Sequence, residues 1–121
     1  MSDAPNAPTT PSIPVERSGQ ALIARPQMKM IDDQSLKALG QTIDEMSRAD
    51  SGVSVVVVDL SRVQLVPSLA LGLLVQLSNK CKARQQKLKL AAATPQVRQV
   101  FSITRLDRVL EFADTVEAAI A

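Results

Sequence analysis

Residues 63–77 read Val-Gln-Leu-Val-Pro-Ser-Leu-Ala-Leu-Gly-Leu-Leu-Val-Gln-Leu, an apolar run interrupted near its middle by Pro67 and Ser68. Pro67 biases Val66 towards extended backbone, and Ser68 is a good helix N-cap. Beyond them Leu73, Leu74, Leu77 and Cys81 share one side of a helix, with Gln76, Asn79, Lys80 and Lys82 largely away from it. The run is two elements meeting at a corner, and the helix is expected over Leu71 to Ala83.

Upstream, Val53-Ser-Val-Val-Val-Val-Asp-Leu60 is rich in β-branched residues and shows no alternation. A strand of that kind is buried on both faces, inside a sheet covered by helices. Before it, Leu36, Leu39, Ile43 and Met46 recur at helical spacing behind the capping segment Asp32-Asp33-Gln34-Ser35. Residues 14–25 read as two short strands turning at Ser18-Gly19, with Pro26 ending the second. Downstream, Lys87-Leu88-Lys89-Leu90 alternates like a strand, and Thr94-Pro95 opens a helix carrying Val97, Val100 and Phe101. Val109 to Phe112 is expected as a last strand, and Asp114 with Glu117 as a capping box for a helix over Thr115–Ile120. The order β-β-α-β-α-β-α-β-α implies an α/β fold with a mixed sheet of four to five strands and about four helices. Residues 1–12, rich in Ala, Pro, Thr and Ser, are expected to be a disordered leader, and 13–121 the domain.

Composition narrows the chemistry. The 121 residues include no histidine, no Trp or Tyr, and one cysteine, so the commonest general base and metal ligand is missing. Cys81 falls on an apolar helix face and reads as a core residue in a reducing compartment. The four glycines are scattered, so no phosphate-binding loop is present. No metal site, cofactor or enzymatic activity is expected. Asp59, ending the central strand, is the most position-specific carboxylate, either fixing the following loop or serving a site at the sheet's carboxyl end. Between Asp59 and Asp107 there is no acid, while Arg62, Lys80, Lys82, Arg84, Lys87, Lys89, Arg98 and Arg105 all lie there. That block is either a basic face for an acidic partner or a solvated helix end and strand edge. Without aromatic interleaving, nucleic acid is a poor partner. No signal sequence or spanning run is seen, so a cytoplasmic location without membrane insertion is expected.

From Val15 to Ala121 the chain resembles the STAS domain of bacterial anti-sigma factor antagonists. Val-Asp-Leu-Ser-Arg-Val at 58–63 looks like that family's central strand, and Leu71-Gly72 like the helix after it. Thr-Pro-Gln-Val-Arg-Gln-Val-Phe at 94–101 and Ile-Thr-Arg-Leu-Asp at 103–107 resemble its third helix and following loop. Asp32, with Ser35 and Leu39, matches the acidic start of its first helix. The resemblance implies a corner reading Asp-Ser-Ser/Thr-Gly-Leu-Gly, whose second hydroxyl is phosphorylated by a partner serine kinase that is also the anti-sigma factor. Here Pro67 stands for the acid, Ser68 for the first serine, Leu69 for the phosphoacceptor and Ala70 for the glycine, while Leu71-Gly72 are kept.

The expectation is an interaction module that binds a kinase-like anti-sigma factor without the standard serine/threonine phospho-switch. Its contacts would be Asp32, Gln64, Val66, Pro67, Ser68, Leu69, Leu71 and Gly72, with Ser68 the neighbouring hydroxyl and Leu69 not phosphorylatable. Val66, Leu69 and Leu71 would add exposed apolar area, unless Leu69 folds back onto the core. The alternative roles are an accessory subunit of a membrane transport system, docked to an ATPase subunit, and a scaffold in a sensory assembly.

Overall fold

The computed structural model describes residues 13–50 and 52–120. Within them lie β1 (Val15–Ser18), β2 (Ala21–Ala24), α1 (Asp33–Ala49), β3 (Val55–Asp59), α2 (Ser68–Ala83), β4 (Lys87–Ala91), α3 (Pro95–Ile103), β5 (Glu111–Ala113) and α4 (Val116–Ile120). A 3-10 turn, Leu106–Arg108, precedes β5. The leader expected over residues 1–12 lies outside the described residues.

The five strands form one sheet in the order β1-β2-β3-β4-β5. β1 pairs antiparallel to β2, and every later pair is parallel. The first pair is a hairpin turning at Gly19, whose φ of 60° is open to glycine without steric cost. Each parallel pair is joined by a helix. Right-handed crossovers that step in one direction across a sheet put their helices on one face. Accordingly Leu22, Ala24, Val56, Val58, Leu88 and Leu90 share a core with leucines of α1 and α2 and with Val97 and Phe101 of α3. The alternate residues Ile23, Val57 and Ala91 turn to the other face, where Val116 and Ala119 of α4 cover them. β3 is therefore buried on both sides, as its unbroken valines imply.

Helix ends show where local chemistry competed. Asp32 caps α1, accepting the Ser35 amide at 2.7 Å. α2 starts earlier than its leucine spacing suggests. Pro67, at φ −64° and ψ 160°, is the N-cap residue without a side-chain bond, and Ser68 is already helical. The expected Ser68 cap is thus corrected: the Pro67 carbonyl accepts the Leu71 amide at 3.0 Å, which closes the first turn one residue sooner. α4 is capped by Thr115, whose Oγ1 accepts the Ala118 amide at 3.0 Å, rather than by Asp114. Asp114 is instead paired to Arg98 at 3.6 Å. β5 begins two residues later than expected, because Arg105 in a left-handed conformation starts the intervening turn.

The basic block does not form one face. Lys87 and Lys89 register with Val55 and Val57 on the α4 side, whereas Lys80 lies on α2. Arg84 pairs with Asp44 and Arg98 with Asp114.

The burial contrast along α2 has a measurable consequence. Leu74 is fully buried and Leu69 is 61% exposed. In urea unfolding, Leu74→Ala is expected to lose about 2–5 kcal/mol through the cavity it leaves. Leu69→Ala is expected to stay within about 0.5 kcal/mol of the parent.

Candidate functional site, a rim at the carboxyl end of the sheet

Because the strand order never reverses, the loops leaving β2 and β3 both pass to the α1–α2 face and lie side by side. They are knitted together beyond the sheet. The Lys29 carbonyl accepts the amides of Gln64 at 2.7 Å and Leu65 at 3.0 Å, and the Leu65 carbonyl accepts the Ile31 amide at 3.2 Å. Met30 and Leu65 form an isolated parallel bridge. Extended backbone sends alternate side chains to opposite sides. Ile31 and Val66 point into the core, Val63 is buried at the turn after β3, and Met30 and Leu65 stay outside at 50% and 54% exposure. One helical turn after Leu65, Leu69 is also exposed.

These three side chains give the rim an apolar character. Gln64, Ser68 and Gly72 are exposed among them, and Pro67 is half-buried. A Cβ built on Gly72 would meet nothing within 4 Å, so this glycine leaves a flat, open spot on α2. Val66 and Leu71 are only 4% and 7% exposed. The expectation that they add contact area is corrected: both anchor the corner to the core. Leu69 does not fold back. Met30 and Leu65 were missing from the sequence reading. The short alternation Met28-Lys29-Met30-Ile31 was the available signal, but it is too brief to separate an extended rim from a loop.

Asp59 sets the position of this rim. Its Oδ1 accepts the Ser61 amide at 2.9 Å, and its Oδ2 lies 3.0 Å from Arg25 Nη1. Arg25 also donates to Glu16 at 2.8 Å, and that bond, ahead of Asp59, raises its pKa above the ordinary arginine value. With both oxygens engaged, Asp59 acts on the loop following β3, the first of its two expected roles. Asp32 stands at the start of α1, one residue after Ile31, half-buried and committed through Oδ1 to its cap.

Among the described residues no cluster of three or more His, Cys, Asp or Glu side chains could hold a metal. Cys81 is fully buried, and burial pushes its thiol up, with nearby Arg84 partly opposing the shift. No helix among the described residues is long and apolar enough to cross a membrane.

Substitution separates the cap that Asp32 makes from the binding role expected of its charge. Asn caps helices about as well as Asp, whereas Ala costs about 1 kcal/mol. Asp32→Asn is expected to unfold at the parent's urea midpoint and Asp32→Ala at a lower one. A binding defect shared by both variants would then report the lost charge and not lost folding.

Comparison with known proteins agrees with this geometry. The STAS domain family model matches residues 12–119. A STAS domain protein from Planctomyces limnophilus, an anti-sigma-factor antagonist by name, superposes with a TM-score of 0.73 at 22% identity, covering 90% of this chain and 94% of its own. The anti-sigma factor antagonist SpoIIAA in its unphosphorylated form gives 0.72 at 20% identity, covering 89% and 92%. The murine anion transporter Slc26a9 gives 0.70 at 14% identity over 87% of this chain, but only 18% of the transporter. A search of curated proteins by sequence found no significant match. The structural likenesses establish the fold, and the family model spans nearly every described residue: the chain belongs to the STAS domain family.

Proposed function

We propose that this chain is a protein-interaction module of the anti-sigma factor antagonist kind, acting in the cytoplasm. Its rim binds a kinase-like anti-sigma factor. The observation that carries the reading is Leu69, 61% exposed on the first turn of α2, flanked by exposed Met30 and Leu65. An apolar cluster of this sort is unfavourable in water and gains free energy when a partner covers it. Asp32, Gln64, Pro67, Ser68 and Gly72 complete the contact surface, joined by Met30 and Leu65.

The same residue argues against the usual control. A phosphoryl group needs a hydroxyl oxygen, and Leu69 has none. In place of a position that alternates between neutral and dianionic states, the rim keeps a permanently apolar side chain. Ser68 is exposed, but it sits one residue earlier on the helix and so faces a direction about 100° away. Binding would be constitutive, regulated by the amount of protein or by the partner's own state.

Two measurements test this. Incubation with the partner kinase and ATP is expected to leave the protein unphosphorylated by intact mass, and stoichiometric phosphate on any residue would refute the switch-free reading. Capture from native cytoplasm is expected to recover a kinase-like partner with the parent and to weaken by roughly tenfold or more with Leu69→Asp, as for a buried apolar anchor. Equal recovery with both would remove the rim as the interface. The domain within the anion transporter favours a second reading, an accessory subunit of a transport system. A transporter ATPase subunit captured in a Leu69-dependent manner would select it.

A further inference from the structure

A second feature begins beside the rim and runs towards the other end of the two long helices. α1 and α2 are crossovers in the same direction, so they run parallel, and a cleft of about 820 Å³ opens between their outer faces. From Leu36 to Arg48 it follows α1 for about 18 Å, at 1.5 Å per residue. Leu36, Gly40, Leu73 and Leu77 line its floor.

Gly40 is the telling residue. It sits in the interior of a 17-residue helix without a left-handed φ. A Cβ there would meet only Leu77 Cδ1, at 4.0 Å, an ordinary contact. Glycine in a helix interior costs roughly 0.5–1 kcal/mol relative to alanine. Nothing packed against it among the described residues requires it. A bare backbone at the bottom of a cleft does suit close approach by a segment from outside.

The charge of the walls says what kind of segment. Lys37, Arg48, Lys80 and Arg84 line the cleft against one acid, Asp44. Asp44 is shared between Arg48 at 3.2 Å and Arg84 at 3.1 Å. Lys37 and Lys80 are exposed and carry no ion pair among the described residues. Arg84 Nε bonds Gln86 at 3.2 Å, while its Nη2 is shielded from water without a hydrogen-bond partner among the described residues. Four cations around one carboxylate oppose a second copy of the same face and favour an acidic occupant. The leucine floor favours one with an apolar stripe, and the absence of aromatic side chains in the lining disfavours bases.

We propose that the α1–α2 cleft is a second docking site, which receives an acidic amphipathic helix of a partner protein. The mode is helix-in-groove: leucine-like anchors spaced i, i+4, i+7 lie over Leu73, Leu77 and Gly40, and flanking carboxylates meet Lys37 and Lys80. This site does not depend on the rim reading, because the two surfaces share no residue named in either argument.

The test is an NMR titration of the ¹⁵N-labelled protein with a synthetic helix of about fourteen residues, enough to span the cleft, carrying Leu anchors and Glu elsewhere. Shifts are expected at the amides of Gly40, Leu73 and Leu77, weakening as salt is raised. Affinity is expected to fall about tenfold or more in the Lys37→Glu/Lys80→Glu pair. It should fall likewise in Gly40→Leu, whose side chain the open cleft can hold in a folded protein, and remain unchanged in Lys89→Glu, on the α4 side of the sheet. Four results would overturn the proposal. They are no shifts at millimolar peptide, equal shifts from the same peptide with Lys for Glu, shifts centred on Leu69 and Gly72, or concentration-dependent shifts at the cleft without peptide.

Discussion

The structure depends on the double burial of β3. Val56, Val57 and Val58 have no exposure, and the strand is paired in parallel on both edges. A strand placed in this way must find apolar cover on two faces, and its neighbours must reach it by crossovers. α1, α2 and α3 supply one layer and the short α4 the other. The loops that emerge at its carboxyl end inherit their position from it. Asp59, the last residue of the strand, binds the loop after it and reaches across to Arg25 beyond β2. The rim is held by the same element that organises the core.

Polar bonds elsewhere act at the opposite end of the sheet. Gln86 is 5% exposed and donates to Ser47 Oγ at 2.9 Å, which fastens the end of α1 to the start of β4. Arg17 pairs with Asp50 and ties the β1–β2 hairpin to the same region. A buried amide whose hydrogen bonds are made fixes one arrangement, since any slip would leave it unsatisfied. One end of the domain is thus closed by polar bonds, and the other presents Met30, Leu65 and Leu69 to solvent.

Two glycines point the same way for a shared reason. Gly40 and Gly72 both lie in helices, where alanine would be more stable, and neither is hemmed in by the described residues around it. A cost in local stability without an internal benefit directs attention to what lies outside the fold. Gly72 is on the proposed rim surface and Gly40 on the cleft floor.

The unalternating valines of β3, the leucine spacing of α1 and α2, and the Thr94-Pro95 start of α3 were enough to derive the α/β order, because burial and helical period are written locally. The absence of histidine and the leucine at position 69 were likewise plain in the chain, and they bounded the chemistry. Tertiary structure decided the rest. Whether Val66 or Leu65 faces water depends on the parallel pairing of residues 30 and 65, two segments far apart in sequence. Whether Ser68 or Pro67 caps α2 depends on how the chain leaves that pairing. The cleft exists only because two parallel helices are set side by side, which brings Lys37 and Lys80 to one opening. Periodicity reports which side of an element is apolar, whereas exposure is a property of what the fold lays against it.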